Sequence, residues 1–515
     1  MVQTRARRSA RGQRARRVRS RQRSTLAALA LAVLGILVPG TAYLAAHRTR
    51  LGSAVTAISI ALYGTAAYVG LRHRDTVITW ALDSTVLLWM IAGLIAIALA
   101  WVVVLVTSYK MLRPLTAGPG ARVLGSLVIG VVCFALAVSA ATGAQTLVAQ
   151  RSLVTKVFGG DEVKSQTRPT ITPKKDIWQQ IPRLNVLLLG ADDGDGRQGT
   201  RTDSVMVASI DTKTGNTALI SLTRNFMRMP FPADSPLHEK FPTGFWDPKI
   251  DPNKEQPEFY LDAMYRNIPK LYPGILGPSD NEGADVLKLS VGEALGLQIH
   301  YYVQVDLAGF AQLVEALGGI TVNINYPVPV GGSDDDKIPP SRYLQPGPNK
   351  LLNGTDALWF ARGRYKVPTA DLARQARQRC TVKAIVERAT PQNVLVNYQQ
   401  IAKAGEQLIR TDIPSNVLGA MVTLGERVKT AKIVNVDLDK KKNFPNGRNP
   451  NYAGMRAIVA QATNPAGRTT AAPRKVTTAP PSTATQPRTT QPRTTTKPDN
   501  GDLASACAYH PGMPG

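Results

Sequence analysis

The stretch HYYVQVDLAGFAQLVEALGGITVNI, His300 to Ile324, changes periodicity twice within one short segment. Tyr301 to Val305 is rich in aromatic and β-branched residues and reads as a strand. Asp306 is suited to cap a helix, because its carboxylate can accept from N–H groups of the following turn. That helix ends at Gly318-Gly319, where glycine tolerates the left-handed conformation of a helix terminus. Ile320 to Ile324 resumes a strand. Strand, helix and strand in succession argue for a mixed α/β domain.

The alternation extends both ways. Asn185 to Gly190, NVLLLG, is a short apolar run ended by glycine and fits a buried strand. Val205 to Ile210 and Thr217 to Leu222 read as two more strands. Gly283 to Leu297 is helical, with Leu287, Val291 and Leu295 at i, i+4 and i+8. Helical patterns recur at Leu372–Glu387, Val394–Ile409, Val417–Arg427 and Tyr452–Ala462. These elements bound a globular domain at residues 183–464. Met229 to Gly283 is rich in Pro and Asp and reads as a long surface insertion with one helix near Phe259 to Ile268. Residues 150–182 read as a linker. Residues 465–500 are Thr, Pro, Ala and Arg, the composition of a disordered tail, and 501–515 form a separate C-terminal segment.

The chain has 515 residues and a formal net charge of +26, which favours an acidic partner. The charge is uneven. Residues 1–24 hold ten arginines and no carboxylate, the mark of a basic cytoplasmic arm on a membrane face. Residues 25–149 then form a membrane region of four apolar stretches: Leu26–Ala46, Leu51–Leu71, Thr85–Ser108 and Val123–Val148. The last three are long enough to span a bilayer as helices, whereas Pro39-Gly40 breaks the first. With the arginines inside, four crossings leave the domain in the cytoplasm and three place it outside.

Arginine is dense again from Gly354 to Arg379: Arg362, Arg364, Arg374, Arg377 and Arg379. Guanidinium groups stay charged and fork onto phosphate oxygens. Gly363 favours a helix ending between Arg362 and Arg364. On a following helix Asp371, Arg374 and Gln378 form one stripe, at i, i+3 and i+7. The layout suits a multiply charged phosphate; a solvated basic helix is the plainer alternative. Asp192 and Asp203 sit at the ends of two expected strands, where carboxylates can hold a hard divalent cation or simply shape turns. Arg224 follows the third strand.

Taken in order, NVLLLGADD, RTDSVMV, SLTRN, HYYVQVDLAGFAQLVEALGGITVNI, LNGTDALWFARGR and DLARQARQ resemble the LytR-CpsA-Psr family of membrane-anchored envelope phosphotransferases, in its actinobacterial type. The resemblance covers about Asn185 to Val386. It implies a central mixed sheet flanked by helices, preceded by transmembrane helices, with a hydrophobic pocket for a polyprenyl chain. It further implies transfer of a glycopolymer from a polyprenyl-pyrophosphate carrier to peptidoglycan, with magnesium as cofactor and a pyrophosphatase side activity open. Carried onto this chain, Asp192 and Asp203 are the expected magnesium ligands. Arg224, Arg362, Arg364, Arg374 and Gln378 are the expected pyrophosphate contacts. Arg224, Arg362, Arg364 and Asp371 are the expected catalytic groups. Two departures stand out: Thr223-Arg224-Asn225 replaces the usual Pro-Arg-Asp, and Tyr260-Leu261-Asp262 replaces the usual Lys-Leu-Asn.

An envelope enzyme of this kind is multi-pass, with its catalytic domain outside the cytoplasm and no nucleic-acid partner. Outside the cytoplasm thiols tend to be oxidised, and Cys380 and Cys507 are the only cysteines beyond the membrane segments, so a disulfide between them is expected. The alternatives from other classes are a membrane-anchored transcription attenuator and a wall-polymer binding protein without catalysis.

Overall fold

The computed structural model describes residues 30–512 apart from 32, 34, 36, 114–117, 158–163, 170–176, 193–200, 252–253, 333–336, 368–369, 390–399, 401–408, 437, 439–448 and 465–501. The basic arm, the Thr/Pro-rich tail and most of the helix expected over Val394–Ile409 lie outside the described residues. The chain divides into two compact units, Met1–Ser152 and Leu153–Gly515.

In the first unit, three helices are long and apolar enough to cross a membrane: α1 (Thr49–Arg72), α2 (Ser84–Leu112) and α3 (Pro119–Val157). Asp83 starts α2 by accepting from the N–H groups of Thr85 and Val86, at 2.8 and 3.0 Å. The earlier apolar stretch is interrupted where the sequence places its break. Gly40 takes φ +100° there, and a Cβ on it would lie 2.7 Å from the Gly52 carbonyl oxygen.

The second unit is built on a six-stranded mixed sheet. Its strands are β1 (Arg183–Asp192), β2 (Arg201–Asp211), β3 (Thr217–Leu222), β4 (Tyr301–Asp306), β9 (Ile409–Thr411) and β10 (Ile433–Val436). Their spatial order is β10-β3-β2-β1-β4-β9. The β1–β4 and β10–β3 pairs are parallel and the others antiparallel. Two small antiparallel pairs flank it: β5 (Ile320–Ile324) with β8 (Gly347–Leu352), and β6 (Val328–Val330) with β7 (Arg342–Leu344). Ile409 opens β9 and does not close a helix, because its backbone pairs with Val305.

Period-two alternation gives the sheet two apolar faces. Leu187, Leu189, Val205, Val207 and Ile220 enter the main core. They pack there with residues of α4 (Leu261–Leu271), α5 (Glu282–Leu295) and α10 (Tyr452–Thr463). Leu188, Met206, Val303 and Val305 point to the other face. That face meets α6 (Leu307–Ala316), α7 (Gly354–Arg362) and α8 (Ala370–Arg388). A further helix, α9 (Leu418–Thr430), precedes β10.

The Met229–Gly283 stretch corrects one expectation. It is no surface insertion: Phe231, Leu237, Phe245, Leu261, Met264 and Ile268 are all buried in the main core. Edge-on and tilted ring contacts, Phe241 with Phe245 at 5.1 Å and Phe245 with Phe259 at 4.9 Å, tie it together. The apolar anchors are widely spaced among Pro and Asp, so neither strand nor helix period reveals them.

Cys380 on α8 is disulfide-bonded to Cys507, with Cα atoms 5.6 Å apart. The bridge docks the C-terminal segment. Leu503 is buried among Ala208 and Leu219, and Asn323 donates to the Cys507 carbonyl at 2.9 Å.

Candidate functional site

Asp203 owes its position to a fault in the sheet. Gly190 pairs with Ser204 and Ala191 with Thr202, so Asp203 is the extra residue of a β-bulge in β2. Bulges re-aim a side chain out of the regular ladder. Asp203 accepts from Arg224 Nη1 at 3.0 Å, and Arg362 Nη2 lies 3.7 Å from its other oxygen. Burial alone would raise its pKa. The guanidinium groups of Arg224, Arg362 and Arg374 outweigh that and hold it below the usual carboxylate range.

Each of those arginines comes from a different element. Arg224 lies on the turn after β3. Gln375 of α8 donates to Thr223 Oγ1 at 3.0 Å beside it, tying that turn to the helix. Arg362 is the last residue of α7, 5.8 Å from the centre of the Trp359 ring. Arg374 is 4% exposed on α8. One turn further along, Gln378 accepts from Ser204 Oγ at 3.2 Å. Arg364, half-buried, lies two residues beyond Arg362, past the cap at Gly363.

Gly363 ends α7 as its sequence implies, but at an ordinary φ of −52°. Glycine is needed for closeness: a Cβ would sit 2.4 Å from the Pro329 carbonyl oxygen. Arg377, one of the five clustered arginines, belongs to the scaffold. Its buried guanidinium donates to the Phe360 carbonyl at 2.7 Å, to the Gly363 carbonyl and to the Tyr326 hydroxyl. It therefore fixes the end of α7, where Arg362 sits. The side chains of Asp192, in β1, and Asp371, in the first turn of α8, lie outside the described ones.

Three residues near this cluster escape a reading by motif. Arg201 on β2 donates to Glu258 Oε1 at 3.0 Å. Its Nη1 lies 3.7 Å from Oδ2 of Asp262, in the first turn of α4. The Asp262 side chain is 5% exposed, and its Oδ1 has no hydrogen-bond partner among the described residues. Burial pushes its pKa up to about 6; Arg224, Arg201 and the Ala263 N–H pull it down, and Asp203 adds repulsion. The sequence signal for this residue is the aspartate in Tyr260-Leu261-Asp262.

Asp203, Arg362 and Gln378 also line a cleft of about 280 Å³. Its walls are mostly apolar, Leu188, Met206, Val303, Phe310, Leu358 and Ile385 among them, with Ser204, Asp306 and Thr381 also in the lining. A polar head with surplus positive charge thus opens on an apolar channel between the sheet and α6, α7 and α8.

Such an arrangement is chemically suited to an anionic amphiphile. The family model described as the LytR_cpsA_psr family matches residues 157–464, more than half of the chain, and the chain belongs to that family. It is similar to a polyisoprenyl-teichoic acid–peptidoglycan teichoic acid transferase, TagU, of Oceanobacillus iheyensis. That match is 28% identical over 281 residues, covering 54% of this chain and 66% of the relative. It is also similar to biofilm regulatory protein A of Streptococcus mutans, 26% identical over 244 residues, covering 46% of this chain and 52% of that one. The chain thus spans between about half and two thirds of the length of these relatives. Among solved structures, TagV of B. subtilis matches with 19% sequence identity and a TM-score of 0.36, over 55% of this chain and 97% of TagV.

Proposed function

We propose that the protein is an envelope phosphotransferase that moves a glycopolymer from a polyprenyl-pyrophosphate carrier onto peptidoglycan. One observation carries this reading: three guanidiniums, Arg224, Arg362 and Arg374, act on Asp203, which lines a mostly apolar cleft. The surplus of positive charge around Asp203 suits a pyrophosphate diester, and the cleft suits its lipid. The activity in the name of the Oceanobacillus relative, from polyisoprenyl carrier to peptidoglycan, is of the same kind.

The donor set fits magnesium, a hard cation that takes carboxylate oxygens and keeps several waters. Asp192 and Asp203 would hold it, and the unpartnered buried oxygen of Asp262, close enough to feel the Asp203 charge, is what a cation site leaves behind. Bound there, the ion supplies charge neutralisation on the phosphates. The chain's own groups do the rest. Arg224, Arg362 and Arg374 bind the pyrophosphate oxygens, with Arg364 and Gln378 completing the grip, and stabilise charge that grows on the departing phosphate. The acceptor sugar hydroxyl attacks the sugar-linked phosphorus and forms a new P–O bond. The bond from that phosphorus to the bridging oxygen breaks, and polyprenyl phosphate leaves with the electron pair. Asp371, or a carboxylate at the cation site, takes the hydroxyl proton.

The setting is a multi-pass membrane protein with the domain outside the cytoplasm. Three crossings from an arginine-rich cytoplasmic N-terminus lead there, and the Cys380–Cys507 bridge suits an oxidising compartment.

The test is mass analysis of lipid and glycan products after the full chain is given a polyprenyl-pyrophosphate oligosaccharide, magnesium and peptidoglycan. Polyprenyl phosphate and a phosphodiester-linked glycan are expected. Hydrolysis without a linked glycan would reduce the activity to a pyrophosphatase. Unchanged substrate would overturn the reading and leave the regulatory role named for the Streptococcus relative.

A further inference from the structure

We propose that Asp262 is a ligand of the divalent cation at this site, so that its protein oxygens come from the first turn of α4 as well as from the sheet. The proposal rests on the phosphotransferase reading only in that both call for a cation at Asp203.

The carboxylate is placed deliberately. The Asp262 N–H donates to the Arg224 carbonyl at 3.1 Å, and the Leu261 N–H to the Phe226 carbonyl at 2.9 Å. Leu261 and Met264 are fully buried in the main core, so this turn of α4 is pinned to the loop that carries Arg224. The side chain is 5% exposed, yet its bonding is incomplete. Oδ2 has Arg201 at 3.7 Å, too long for a hydrogen bond, and Arg201 donates at 3.0 Å to Glu258. Oδ1 has no partner among the described residues. Arg224, the other nearby guanidinium, gives Nη1 to Asp203.

A buried carboxylate with a free oxygen and a second carboxylate acting on it is costly as it stands. Rotating Arg201 onto Asp262 would give up its Glu258 bond. A hard divalent ion between Asp203 and Asp262 answers both faults, because it accepts oxygen from each and removes their repulsion. A purely structural Asp262 would be expected to make a close ion pair with Arg201, which the 3.7 Å separation does not give.

The experiment uses the full chain in lipid nanodiscs, with Mn²⁺ as probe followed by electron paramagnetic resonance, and thermal midpoints in chelator. Wild type, Asp203→Asn and Asp262→Asn are compared. Asp262→Asn should weaken Mn²⁺ binding ten-fold or more, as Asp203→Asn does. In chelator it should melt at or above the wild-type temperature, because a buried, desolvated charge has gone; that midpoint also establishes that the variant is folded. Wild-type Mn²⁺ affinity in Asp262→Asn, beside loss in Asp203→Asn, overturns the proposal and spares the cation reading. A lower midpoint in chelator with unchanged affinity also overturns it and makes Asp262 a structural partner of Arg201. Wild type that binds no Mn²⁺ overturns both, while product formation reads the transferase activity separately.

Discussion

Two clusters of buried charge occupy the second unit, and they are finished differently. In one, Lys288 and Asp412 form an ion pair with side chains 1% and 0% exposed. Asp412 also accepts from the Tyr302 N–H at 2.8 Å. Asp285 beside them accepts from Ser165 Oγ at 2.7 Å, Ser279 Oγ at 2.6 Å and the Thr167 hydroxyl. The carboxylate acceptors there are filled, although Arg168 Nη1 and the Tyr301 hydroxyl beside them have no hydrogen-bond partner among the described residues, and the network fastens residues 165–167 to α5 and β4. In the other, around Asp203, positive charge exceeds negative, Asp262 keeps an unpartnered oxygen, and the group opens on an apolar cleft. Buried polar groups are normally paired. The cluster whose carboxylates are filled reads as scaffold; the one that keeps an unpartnered carboxylate oxygen is the proposed binding site.

The sharpest way to break that contrast is Lys288→Ala. It strands Asp412 in the interior without its cation, which costs about 3–5 kcal/mol. Chemical denaturation of the purified protein should show a fall of that order. A fall below about 1 kcal/mol would mean that water reaches the cluster and that it is not closed.

His300 tests the same cluster through pH. Its Nδ1 accepts from the Asn185 N–H at 3.0 Å, so the ring is held neutral. Burial, with Lys288 nearby, pushes its pKa down to about 4 from 6.5. The unfolded chain binds the proton first. Stability therefore declines from about pH 6.5 and is lost progressively toward pH 4, by at most about 3 kcal/mol at 1.36 kcal/mol per unit. Against wild type, His300→Gln should flatten the stability profile within that window and leave it unchanged above pH 7. Identical slopes for the two proteins would show that the imidazole is not closed off from protons.

The strand–helix–strand core at Tyr301–Ile324 was legible because period and caps agree there: Asp306 caps α6 by accepting from the Gly309 N–H, as its position implies. The arginine stripe of α8 was legible as spacing, but spacing could not separate Arg374, which acts on Asp203, from Arg377, which holds the backbone of α7. That division depends on which face of α8 meets α7, a tertiary fact. The bulge that turns Asp203 toward the arginines leaves no trace in a local pattern. Asp262 was visible as a departure from the family's Lys-Leu-Asn, alongside the carboxylate missing at Asn225. Only folding shows that the two positions are neighbours, through the bond from Asp262 N–H to Arg224. The core role of Phe231, Phe241 and Phe245 was hidden by the Pro and Asp between them.

The smallest expected effect gives the finest test of the contrast, because it must appear in rate and not in stability. Arg362→Ala removes one of three guanidiniums that crowd Asp203. Like charges repel, so the fold loses little by the deletion. Asp203, 3.7 Å from Arg362, keeps its 3.0 Å bond to Arg224. The bound pyrophosphate, by contrast, loses a charge-assisted contact worth roughly 1.5–3 kcal/mol, about ten-fold to more than a hundred-fold in transfer rate. Arg362→Lys should recover little, since an ammonium lacks the planar fork. Arg364→Ala should behave in the same way. Steady-state transfer assays beside denaturation curves measure both quantities on one preparation. Stability lost in step with activity would place Arg362 in the scaffold with Arg377, and the open cluster would then be as structural as the closed one.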